Sequence, residues 1–125
     1  MKRGLFMRLS VSIAILALVA FQPSSGQEPL SLVRSIELPR VEGRIDHLAF
    51  DAAGQRLFVA ALGNNTLEIL DLKAGIHLHT ITGLHEPQGV AFIPESNTIF
   101  VTNGKTGMCD MFDRMFPPQA MAQVR

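Results

Sequence analysis

The apolar positions of this chain fall into short runs of period two, separated by turns rich in glycine, asparagine and proline. Residues 47–50 read as a strand, and Asp51, Ala52, Ala53 and Gly54 after it have turn chemistry. A second strand is predicted over 56–62, a tight turn at Gly63, Asn64 and Asn65, and a third strand over 66–72. Lys73, Ala74 and Gly75 turn the chain into a fourth strand over 76–82. Residues 83–87 then link to a second series, with strands over 89–92, 98–102 and 108–112 and turns over 94–97 and 104–107. Strand 56–62 is apolar on both sides, with Leu57, Val59 and Ala61 on one face and Phe58, Ala60 and Leu62 on the other. Such a strand must be covered twice, so the pattern asks for sheets stacked face to face. The next strand alternates in part, Leu67 and Ile69 opposing Glu68.

The two series are copies of one unit. Residues 46–71 align without gaps on 88–113, at an offset of 42. The identities are Ala49/Ala91, Phe50/Phe92, Phe58/Phe100, Val59/Val101 and Asp71/Asp113, and Leu48/Val90, Leu57/Ile99, Glu68/Asp110 and Ile69/Met111 are close. A unit of four strands and about 40–45 residues is the size of a β-propeller blade. The expected fold class is therefore all-β: a partial propeller spanning 27–113, of about two four-stranded antiparallel blades over 47–82 and 89–113. Residues 31–38 are also strand-like and, with the Pro39–Gly43 stretch after them, echo 76–87 give or take one residue. They suit the outer-strand role that closes a ring. After Asp113 the repeat stops, and Pro117 and Pro118 cannot donate ladder hydrogen bonds. The second blade is thus expected to lack its fourth strand, with 114–125 an irregular tail.

The N-terminus reads as an address. Lys2, Arg3 and Arg8 precede an apolar stretch over 9–21, followed by a polar segment rich in small residues. An apolar helix of that length spans about 20 Å, short of a bilayer core of about 30 Å. Residues 1–26 are read as a helical signal peptide cleaved after Gly26, and the product as exported, periplasmic or extracellular, without a lasting membrane anchor. Cleavage also changes the charge. The whole chain balances 11 basic against 11 acidic residues, but the three basic residues lost leave 8 against 11, a net charge of about −3. A nucleic-acid partner is not expected from such a balance. The single cysteine excludes a disulfide framework and a Cys-rich zinc site.

Phe100-Val101-Thr102-Asn103 resembles the Tyr-Val-Thr-Asn signature of the YVTN β-propeller repeat, with Phe in place of Tyr. Phe58-Val59-Ala60-Ala61 stands as a degenerate first copy, and the resemblance covers roughly 31–113. Pro87-Gln88-Gly89-Val90-Ala91 and the Asn64-Asn65 pair are also similar to NHL-type propeller repeats, and lactonase-type propellers have similar blades. The resemblance implies a binding or scaffold module for a small ligand or a protein. It equally implies, as an alternative, a fragment of a propeller enzyme such as a lactonase or a subunit of a quinoprotein or haem oxidoreductase.

The candidate chemistry lies in the links before the first strand of each blade. Asp46, His47, His85, Glu86 and Gln88 are expected at one end of the propeller channel, where carboxyl and imidazole groups could hold a metal or a polar ligand. His77 and His79, two apart on a strand, are expected to point the same way from an exposed edge. Cys109 is expected to pack as a small apolar residue. No catalytic residue, resident metal or cofactor is assigned, because no Walker loop, dinucleotide fingerprint, Gly-x-Ser-x-Gly, His-Glu-x-x-His or Cys-x-x-Cys-His occurs.

A closed propeller takes four to eight blades. The expectation is an N-terminal piece of a longer propeller, or else a two-blade chain whose copies form the ring and whose bare blade faces self-associate. Reading the DNA beyond codon 113 in all three frames checks this: four or more further 42-residue repeats are expected, and their absence favours assembly from copies.

Overall fold

The computed structural model describes residues 30–113 and 120–125. The chain divides into Met1–Ser31 and Leu32–Arg125, and every strand belongs to the second unit. The expected signal peptide over 1–26, with its expected helix and cleavage point, falls outside the described residues, as do the paired prolines at 117 and 118.

Eight strands follow in order: β1 (Leu48–Asp51), β2 (Arg56–Ala61), β3 (Thr66–Asp71), β4 (Ile76–Ile81), β5 (Pro87–Ile93), β6 (Thr98–Asn103), β7 (Met108–Asp113) and β8 (Ala120–Val124). They form two four-stranded antiparallel sheets, β1-β2-β3-β4 and β5-β6-β7-β8, and no α-helix occurs among the described residues. The sheets are compatible with two propeller blades but do not close into a propeller. The turn residues act as their chemistry requires. Asp51 Oδ1 accepts the Gly54 N–H at 2.9 Å, and Asp71 Oδ1 accepts the Ala74 N–H at 2.7 Å. Gln55 and Asn97, 42 residues apart, both take the left-handed conformation, as do Asn65 and Gly107.

The core lies between the sheets. Phe58, Ala60, Leu67 and Ile69 from the first sheet meet Ile99, Val101 and Phe112 from the second, with Ile81 and Leu84 buried among them. Phe58 and Phe92 pack with ring centroids 5.4 Å apart and planes tilted by 37°. As its double-sided pattern demands, β2 buries Phe58, Val59, Ala60 and Ala61 in succession. The far face of the first sheet is partly sheltered: Val59, Glu68 and Leu70 are buried there. The segment leading into β1 is pinned to this sheet at two places. The Arg34 guanidinium donates to the Leu72 and Lys73 carbonyls at 3.2 Å each, and Asn64 holds Arg40 and Glu42.

Two expectations are corrected. Residues 31–38 form no strand but irregular backbone. The second sheet, expected to lack its fourth strand, has one in β8, which pairs Cys109 with Val124 and Asp110 with Gln123. For the same reason 114–125 is not wholly an irregular tail. Residues 120–124 pair with β7 as a fourth strand. The fourth strands even repeat a defect. The β3–β4 register shifts between Ile69 and Leu70, and the β7–β8 register shifts between Met111 and Phe112, 42 residues later. Each bulge bends the outer strand at the same height.

Replacing Phe58 by Ala removes a fully buried ring and is expected to cost about 3–5 kcal/mol. In urea unfolding, a double-mutant cycle of Phe58→Ala with Phe92→Ala should return a coupling of about 0.5–1.5 kcal/mol, and strict additivity would contradict the observed ring contact.

Candidate functional site

The links and the β2–β3 and β6–β7 turns share one end of the two sheets, and sequence-local geometry builds both copies alike. Each link carries two left-handed residues three apart: Arg40 (φ 67°) and Gly43 (φ 80°) before β1, Gly83 (φ 81°) and Glu86 (φ 54°) before β5. Between them an apolar residue turns inward, Val41 half-buried and Leu84 buried. Glu86 and Gly43 are 43 residues apart, one more than the repeat, and the extra residue is absorbed where the β5–β6 register shifts between Pro87 and Gly89.

Three asparagines fasten these links. Asn64 Nδ2 donates to the Arg40 carbonyl at 2.6 Å, and its Oδ1 accepts the Glu42 N–H at 2.8 Å. Asn65, left-handed at φ 58°, accepts the Glu86 N–H at 2.7 Å through Oδ1. Buried Asn103 accepts the His85 N–H at 2.8 Å and donates to Asp110 Oδ2 at 2.9 Å. Gly63 is required by close approach: a Cβ there would lie 2.9 Å from the Arg44 backbone nitrogen and 3.0 Å from the Glu42 carbonyl oxygen.

The five residues singled out from the sequence all lie at this end, in two groups. Asp46 accepts from Arg44 Nη2 at 3.3 Å and lies 3.3 Å from Nδ1 of its neighbour His47, whose ring is largely exposed. The Asp46 N–H donates to the Ala60 carbonyl at 2.9 Å, so its backbone extends the ladder beyond β1. His85 and Glu86 lie on the second link and Gln88 at the start of β5, and all three are exposed. What the structure fixes at His85 and Glu86 is the backbone N–H rather than the side chain. Among the described residues no three His, Cys, Asp or Glu side chains gather at metal-binding spacing.

Gln88 does line a concavity. An open groove of about 310 Å³ is bounded by Gln88, Thr102, Asn103, Gly104, Met108, Cys109, Val124 and Arg125, among others. The Gln88 amide lies against Gly104, where a Cβ would come within 2.6 Å of Nε2. Cys109 corresponds to the fully buried Leu67, yet it is half-exposed on this groove, because no third sheet covers it among the described residues.

The densest polar cluster lies elsewhere, on β3 and β4. The Glu68 carboxyl group is 2% exposed. Thr66 Oγ1 donates to its Oε1 at 2.5 Å, and Thr80 Oγ1 donates to its Oε2 at 2.6 Å. His77 Nε2 lies 2.7 Å from the same Oε2 and 3.2 Å from Thr80 Oγ1. This corrects the expectation for the histidines. His77 pairs with Leu70 and His79 with Ile69, so the bulge at Leu78 turns the two rings to opposite faces. His77 is largely buried rather than an exposed edge residue. One nitrogen of His77 serves both partners, which is the geometry of a hydrogen-bond lock and not of a relay through the ring. The second sheet repeats the lock in simpler form, with Asp110 Oδ1 accepting from Gln123 Nε2 at 2.5 Å. The acidic pair Glu68/Asp110 was visible in the repeat alignment; its partners on the fourth strands were not, because the bulges decide which side chains face it.

No protein-family model matches this chain, and a search of curated proteins found no match.

Glu68→Ala leaves three polar partners facing an emptied site and is expected to cost about 3 kcal/mol in chemical denaturation, whereas exposed His47→Ala should stay within about 0.5 kcal/mol. Equal costs for the two would show that the lock contributes nothing.

Proposed function

We propose that this chain is an exported β-propeller segment of YVTN type that acts as a binding or scaffold module, offering the link-and-turn end of its blades to a small polar ligand or a protein. One observation carries the reading. Positions 42 residues apart on the first three strands occupy equivalent places in two sheets packed face to face, and the fourth strands repeat the bulge and a hydrogen bond to the third-strand acid at an offset of 43. That is how neighbouring blades share a core, and in propellers the links and turns at one end form the recognition surface. Here that end is built on fixed backbone: Asn64, Asn65 and Asn103 hold both links, and the groove at Gln88 opens beside them. A rigid scaffold carrying exposed polar loops suits binding. The small separate groups at Asp46–His47 and His85–Gln88 suit contact with a ligand better than bond-making, because neither presents a nucleophile with a base.

Two measurements test this. Residues 1–26 fused to a reporter active only outside the cytoplasm should give activity that is lost when the 9–21 stretch carries a charge. In the purified chain, metal analysis should read well below one equivalent, and lactone hydrolysis should equal the blank. One equivalent of calcium or zinc, or lactone turnover, abolished by Asp46→Asn or His47→Ala, would replace the binding module with the enzyme.

A further inference from the structure

The junction between the two sheets is made once inside the chain; the outer face of the second sheet repeats one half without a partner among the described residues, and the far face of the first sheet repeats the other, open at β1 although Val59 and Leu70 are already buried there. Phe100, Cys109 and Met111 stand 42 residues after Phe58, Leu67 and Ile69, on the corresponding face of the second sheet. The first three are half-exposed where the latter three are wholly buried. At the other side of the molecule, Leu48 and Phe50 stand 42 residues before Val90 and Phe92, which pack on the core. Leu48 is 55% exposed and Phe50 is 50% exposed. The outward side of Phe50 follows from the register: Ala49 pairs with Phe58 and shares its core face, so Phe50 takes the other.

At β1 and on the β6–β7 face these surfaces match the two sides of the contact made inside the molecule. We propose that a second copy of this chain covers them head to tail, the β1 flank of one copy packing on the outer face of the β5–β8 sheet of the next. Phe50 then lies on Phe100 of the neighbouring copy as Phe92 lies on Phe58 within the chain. The first sheet leaves room for this contact at β1. Its buried far-face residues, Val59, Glu68 and Leu70, belong to β2 and β3, while Leu48 and Phe50 on β1 stay open. The link before β1 carries half-buried Val41 where the internal junction uses Leu84, so each contact inherits its own inserted apolar side chain. Because donor and acceptor surfaces differ, the contact is heterologous: it closes into a ring when the rotation permits and otherwise propagates. The proposal rests on sheet stacking and not on what the link end binds, so failure of the binding reading leaves it standing.

Site-directed cross-linking of the full chain tests it, with Cys109→Ser in every preparation. Phe50→Cys chains and Phe100→Cys chains are treated with a short bis-maleimide, separately and mixed. Mixing is expected to raise the cross-linked dimer several-fold over either preparation alone, since only a head-to-tail contact brings the two positions together. Equal yields in mixed and separate samples overturn the proposal. Sedimentation of the otherwise unchanged chain should show discrete oligomers that Phe50→Asp shifts to monomer while the β-sheet circular dichroism persists. A parent chain that is monomeric, or oligomers indifferent to Phe50→Asp and to Leu48→Glu alike, also overturn it.

Discussion

A strand that is apolar on both faces has to be covered twice, and the arrangement of this protein follows from β2 being such a strand. Phe58 and Ala60 look toward the second sheet, Val59 and Ala61 look away from it, and all four are buried. One sheet alone would leave one of those faces in water. The second sheet supplies the first cover, through Ile99, Val101, Phe92 and Phe112, and makes the stack a matter of hydrophobic area rather than of any single bond.

Polar side chains then set the stack's geometry. Hydrophobic packing is non-directional, so it tolerates slips that flip a strand's faces. Glu68 resists such a slip because its carboxyl group is buried and answered by Thr66, Thr80 and His77, which come within reach in one register. Asp110 and Gln123 form a weaker, exposed counterpart on the second sheet. The asparagines work on the connections: Asn65 ties a turn of the first sheet to the link entering the second, so the sheets are held by a directed bond as well as by their core. Stability and specificity are thus carried by different residues, an arrangement in which local and global preferences agree.

The same repetition explains why this chain has unused surface. An internal junction between equivalent sheets uses opposite faces of the two, so each new sheet offers the face its predecessor has just buried. Phe100 and Phe50 are the exposed counterparts of Phe58 and Phe92.

Much of this was legible in the chain itself. Seven of the eight strands, the turns between them and the double-sided burial of β2 are written in local residue patterns, because alternation and turn chemistry act over a few residues. The 42-residue offset also foretold which positions would be equivalent, and the link residues Asp46, His47, His85, Glu86 and Gln88 do lie at one end of the sheets. Tertiary structure decided the rest. That 120–124 pairs with β7 rests on contact between segments separated by two prolines, which no local pattern records. The bulges at Leu78 and Met121 are likewise set by how the fourth strand meets the third, and they alone determine that His77 turns in toward Glu68 while His79 turns away. Long-range pairing, rather than residue type, made a histidine read as an edge residue part of the polar cluster around the buried Glu68 carboxyl group.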